Sequence, residues 1–113
     1  MEVLFADESL DRLEVDAKYD AGFDRDTVRA YRKRLQVIRA APNEAIFSSL
    51  QSLRYERLSG HRSHQWSMAL DGSGRLILEQ RNESHGTVVV VKGIEHAIPP
   101  VQRVAHATAK ITR

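Results

Sequence analysis

Apolar residues in the first fifty positions recur with two different periods. Val3 and Phe5 alternate with Leu4 across residues 2–6, which predicts a short opening strand. Asp7 stands where it can cap a helix that carries Leu10, Leu13 and Ala17 at helical spacing, with Gly22 as its stop. Asp24 or Asp26 can cap a second, longer helix. Its apolar stripe is Val28, Tyr31, Leu35 and Ile38, while Arg29, Arg32, Lys33 and Arg39 face elsewhere. Ala41-Pro42-Asn43 breaks that helix, and residues 44–53 read as one or two further helical turns.

After Ser59-Gly60 the period shortens to two. Trp66, Met68 and Leu70 fall on one face of a strand, Asp71-Gly72-Ser73-Gly74 is a strong turn, and residues 75–81 form the next strand with Leu76 and Leu78 on one face. Residues 82–86 turn again. Val88 to Val91 is an unbroken β-branched run suited to a central strand covered on both faces. The order β-α-α-β-β-β predicts an α+β domain, two helices packed on a small, mostly antiparallel sheet. A single domain over residues 1–98 is expected. Residues 99–113, which open on Pro99-Pro100 and contain no acid, are expected to form a frayed tail or an isolated helix.

Composition narrows the function. The chain of 113 residues has no Cys, which excludes disulfides, a thiolate nucleophile and Cys-based metal sites and suits a reducing cytoplasm. No apolar run approaches membrane-spanning length, and the N-terminus lacks a basic start followed by an apolar stretch, so a cytoplasmic location without membrane association is expected. The formal net charge of +2 is unevenly spread: residues 1–22 hold seven acids and two bases, whereas residues 23–62 hold four acids and nine bases, nearly all Arg. Such a block is either a solvated helix surface or a basic face for phosphate backbones or an acidic protein.

Segment 53–67, LRYERLSGHRSHQWS, resembles the signature of the RelE/ParE toxin superfamily. In that pattern a Pro-Leu-Lys-Gly-type turn precedes a Tyr-Trp-Ser motif, a strand arginine follows, and a His stands after the last strand. Leu58, Gly60, Arg62, Trp66, Ser67, Arg75 and His96 occupy the matching places. The element order over about nine-tenths of the chain agrees as well, and the two long helices before the signature make the HigB-type killer branch the most similar. The resemblance implies a RelE-like fold and a ribosome-dependent, metal-independent endoribonuclease without cofactors. It also implies as partners messenger RNA, the ribosome and a helix-turn-helix, HigA-like antitoxin, with operator DNA reached only through that antitoxin.

The implied reaction is attack of a 2′-hydroxyl on the adjacent phosphate with expulsion of the 5′-oxygen. It needs a base, a cation for the phosphoryl charge and an acid. By resemblance Arg75 is the cation, able to meet two phosphate oxygens; by position alone it only flanks a hairpin. His96 is the implied acid, with an ordinary surface histidine as the alternative. Glu56 is the implied base, as in YoeB-type members, or else a surface carboxylate paired with Arg54 or Arg57. Arg57, Arg62, Lys92, Arg32 and Lys33 are the expected RNA-binding cations, and Glu56, Arg75 and His96 are expected to meet at the mouth of a basic groove.

Ser59, Ile94 and Glu95 depart from the pattern, which places a Lys at the first position and acidic and Tyr residues before the terminal His. These departures support a second reading, a module that binds RNA or an antitoxin without cleavage. A ParE-like gyrase inhibitor is a third, disfavoured by the combination of Glu56, Arg75 and His96. Trp66 reads as core rather than as a base-stacking residue. His61 and His64, with His85 or His96 as a third ligand, read as loop residues rather than a metal site.

Overall fold

A computed structural model describes residues 1–70, 72 and 74–96; the expectation for the 99–113 tail lies outside these. Five strands and three α-helices form an α+β fold: β1 (Glu2–Phe5), α1 (Glu8–Val15), α2 (Arg25–Ala40), α3 (Ala45–Ser49), β2 (Glu56–Arg57), β3 (Gln65–Ala69), β4 (Gly74–Glu83) and β5 (Gly86–His96). The sheet order is β1-β5-β4-β3-β2, with β1 parallel to β5 and every other pair antiparallel.

Asp7 and Asp24 begin the two main helices, their side chains accepting from the backbone N–H groups of Leu10 and Thr27. Hydrogen bonds from Ser9 and Leu10 hold the Asp7 carboxyl below its ordinary value, and those from Thr27 do the same for Asp24. A depressed folded-state pKa adds stability that is complete above the unfolded value of 3.8 and is lost as pH falls through the lower folded value. The unfolding temperature is therefore expected to drop below about pH 4. In Asp7→Asn with Asp24→Asn, which keep cap acceptors without the charge, that drop should shrink; circular dichroism melts would measure it.

The first helix is shorter than its apolar spacing predicts. It ends at Val15, and Ala17 lies in the loop that follows. Asp16 causes this: in extended conformation its side chain accepts from Lys18 N–H, and Asp20 likewise accepts from Gly22 N–H, so local side-chain bonds replace further helical ones. Gly22, at φ +84°, completes the turn in a conformation open to glycine.

The stripe Val28, Tyr31, Leu35 and Ile38 is buried as its spacing predicts, together with Leu10 and Leu13 of α1, against Met68, Leu76, Leu78, Val89 and Val91 of the sheet. Tyr31, fully buried, donates its hydroxyl to the Leu10 carbonyl at 2.6 Å and so ties the two helices together. All four valines 88–91 are buried. Val89 and Val91 face the helices, and Val88 and Val90 lie on the opposite face with Ile77.

Two features of the sheet go beyond the sequence pattern. β2 has only two residues, both exposed, which present no alternation to read. β5 continues to His96 through a one-residue bulge: Leu78 pairs with Val91 and Ile77 with Gly93, leaving Lys92 as the extra residue. Among the described residues no helix is long and apolar enough to cross a membrane.

Candidate active site

One face of the sheet carries α1 and α2; the other, the open face, carries no helix among the described residues. Strand register places Glu56, Ser67, Arg75, Ile77, Glu79 and Glu95 on the open face. There Arg75 is held from two sides. Its Nε donates to the Oγ of fully buried Ser67 at 2.8 Å, and its Nη2 donates to the Arg54 carbonyl at 2.9 Å. Arg54 is left-handed, at φ +48°, uncommon for a residue with a side chain. Glu56 lies 3.5 Å from the same Nη2, with its side chain 62% exposed against 27% for Arg75. The result is a positioned guanidinium whose Nη1 has no hydrogen-bond partner among the described residues, beside a solvent-accessible carboxylate.

The structure thus brings Glu56 and Arg75 together and sets His96 apart. Glu95 stands opposite Arg75, and His96 opposite Gly74, on the helix-bearing face. Its ring centroid lies 6.2 Å from that of Phe23, and a Cβ built on Gly74 would meet its Cε1 at 3.4 Å. The bulge at Lys92 is the cause. Unbroken alternation from Val91 would have turned Ile94 and His96 to the open face; one extra residue turns them to the helix side and brings Gly93 and Glu95 round instead.

The expected RNA-binding residues divide between two surfaces. Arg62 and Lys92 lie at the open face. Arg62 pairs with Glu95 at 2.7 Å and Gln65 at 3.0 Å, and Lys92 lies 3.7 Å from Glu79. With Ile77 and Gly93 they line a shallow groove of about 340 Å³. Glu79 also accepts from Gln65 at 3.0 Å and lies 3.5 Å from His64. The Gln65 hydrogen bond foremost, then Lys92 and His64, hold its carboxyl below the ordinary range. Glu79 sits four residues along β4 from Arg75, about 13 Å by strand rise, whereas Glu95, the partner of Arg62, stands opposite Arg75. Arg57, in the edge strand β2 and paired there with Trp66, donates to the Ser63 carbonyl and lies over the Trp66 ring at 5.7 Å. Trp66 is half-buried and stacked on Tyr55, centroids 4.8 Å apart.

Arg32 and Lys33 lie on α2, on the far side of the molecule from Arg75. Arg32 is engaged structurally: it donates to the carbonyls of Leu13 and Asp16 at 2.9 Å and of Tyr19 at 3.3 Å, closing the end of α1 and its loop. Charged donors on carbonyls each contribute about 1.5–3 kcal/mol at most. Arg32→Ala is accordingly expected to lower stability by about 2 kcal/mol, read as a shifted urea midpoint, while leaving any affinity of the open face for RNA unchanged.

The four histidines of the described region do not converge. His64 leans on Glu79, and His85 pairs with Glu2 at 2.7 Å at the opposite end of the β4–β5 hairpin from His96. The sequence pattern missed Ser67 as the anchor of Arg75, and Glu79 and Glu95 as partners of the nearby cations. Ser67 stood in the Trp-Ser motif, but only the register with β4 shows which arginine it touches.

In sequence the chain matches no family model and no curated protein. In structure it is similar to the YoeB/ParE toxin from Agrobacterium tumefaciens, with 16% identity and a TM-score of 0.56 over 87% of this chain and 100% of that one. At that identity the likeness establishes the fold: helices on a mixed five-stranded sheet of the RelE/YoeB-like type.

Proposed function

We propose that this chain is the toxin of a toxin–antitoxin pair, of the HigB-type branch of the RelE/ParE superfamily, and that it cleaves messenger RNA on the ribosome without a metal. The observation that carries the proposal is Arg75, fixed by Ser67 and the Arg54 carbonyl, with Glu56 beside it on the open face of a sheet of this fold. Glu56 would take the proton of the 2′-hydroxyl as that oxygen bonds to phosphorus. Arg75 would hold the charge growing on the phosphoryl oxygens as the bond from phosphorus to the 5′-oxygen breaks, and that oxygen would take its proton from solvent water. At 3.5 Å the two groups form a loose pair with an exposed carboxylate, which a phosphate can part, with catalytic contacts tightening once it is bound.

Arg62 and Lys92 would extend the phosphate track along the groove. Their carboxylate partners are no obstacle, since exposed ion pairs contribute only about 0–1 kcal/mol and a phosphate can replace them. A cytoplasmic setting and a helix-turn-helix, HigA-like antitoxin that links the toxin to its operator belong to the same reading. The test is primer-extension mapping of a transcript on purified ribosomes, wild type against Arg75→Ala. New 5′ ends with wild type alone support cleavage; no new ends with either protein refute it.

A second reading is favoured by the place of His96. With the imidazole on the other face, no histidine among the described residues adjoins Arg75 to protonate the leaving oxygen, as expected of a toxin-like module that binds RNA or an antitoxin without cutting. It predicts salt-sensitive ribosome binding, weakened by Arg75→Ala, with no new ends.

A further inference from the structure

The described cations divide into paired and unpaired ones, and on the helix side only Arg12 and Arg39 pair with carboxylates, Asp16 and Glu14. On the sheet side Arg75, Arg62 and Lys92 each have a carboxylate within 4 Å. On the helix side Lys18, Arg25, Arg29 and Lys33 have none among the described residues, and all four are exposed. These four rim a cleft of about 710 Å³ between the loop after α1 and the α2 stripe that runs from Arg25 to Gln36. Eleven residues of helical rise make the cleft about 16 Å long. Its floor is partly apolar, contributed by half-buried Phe23 and buried Val28. Asp20 and Asp24 also line it, but their oxygens accept from the backbone N–H groups of Gly22 and Thr27.

We propose that this cleft is the docking site for an acidic, amphipathic segment of a partner protein. Acidic side chains would meet the four unpaired rim cations, and apolar ones would cover Phe23 and Val28. A concave cleft with an apolar floor and two aspartates gives a phosphodiester backbone little beyond its rim, whereas a peptide uses both parts. The chain's own terminal segment is unsuited, because residues 97–113 carry Arg103, Lys110 and Arg113 and no acid. The docking does not depend on whether the open face cleaves RNA.

The experiment is fluorescence anisotropy on the full chain, with a fluorescein-labelled synthetic peptide rich in Glu and Leu and, separately, a labelled oligouridylate of equal charge. The peptide is expected to bind more tightly than the oligouridylate. Arg25→Glu with Arg29→Glu should weaken it tenfold or more, and Phe23→Ala several-fold. Arg81→Glu, a charge reversal at the far hairpin, should leave it unchanged. Because Arg25 and Arg29 are exposed, these variants should keep wild-type circular dichroism. Absence of peptide binding, equal weakening by Arg81→Glu, or tighter binding of the oligouridylate through Arg25 and Arg29 would each overturn the proposal.

Discussion

Arg75→Ala is expected to slow single-turnover cleavage of ribosome-bound transcript about 100- to 1000-fold, the loss typical of removing one donor aimed at transition-state charge. The size of the effect follows from how the side chain is held. Ser67 Oγ and the Arg54 carbonyl fix the guanidinium before any substrate arrives, so little reorganisation accompanies the reaction. Arg75→Lys should recover little, because an ammonium cannot reach both anchors and still present a planar pair of donors. Stability should fall by about 2 kcal/mol, because the bonds of the guanidinium to buried Ser67 and to the Arg54 carbonyl are lost, so the rates are compared at a temperature where both proteins remain folded. A rate within threefold of wild type, for a protein that does cleave, would remove Arg75 from the chemistry.

Phe47→Ala should cost about 3–5 kcal/mol of folding stability, read as a lower urea midpoint at unchanged slope. Phe47 is fully buried and meets Tyr55 edge-on, with centroids 5.3 Å apart. Tyr55 in turn stacks on Trp66, and burial pushes its hydroxyl up to about 12, so it stays a neutral partner for Gln80 across the ordinary pH range. Glu56 is the next residue in the chain. Loosening Phe47 should therefore loosen β2 and lower activity further than the lost stability accounts for at a temperature where both proteins remain folded. Phe47→Leu keeps most of the volume and should cost about 1–2 kcal/mol. A cost below about 1 kcal/mol for the alanine variant would mean that the ladder from Phe47 to Trp66 does not support the strand edge.

Much of the fold is written in local signals. Asp7 and Asp24 announce the helix starts, and the stripe from Val28 to Ile38 announces which side of α2 is buried. The valine run 88–91 announces the strand that lies between two others. Each of these depends on residues within a turn or two of one another, where periodicity and capping are decided by the chain itself. The early end of α1 is a partial exception. Asp16 carries the signal, yet Leu10, Leu13 and Ala17 keep helical spacing through it.

The site was legible in its residue types and not in its assembly. Glu56 and Arg75 are nineteen positions apart and meet because Glu56 pairs with Ser67, and Ala69 with Arg75, in two adjacent registers. Their side chains share a face only because both registers keep parity. His96 fails the same condition through a single bulged residue; Gly93 beside it is a residue that often marks a bulge, but only the register with β4 shows that Lys92 is the extra one. The sequence by itself determined the helices, the strand segments and the stock of charged groups, since these rest on short-range spacing and composition. Only the tertiary structure decided which charges share a face, which are neutralised in pairs and which stand open along the α2 cleft, because those outcomes depend on strand register, where one residue more or less turns a side chain through the sheet.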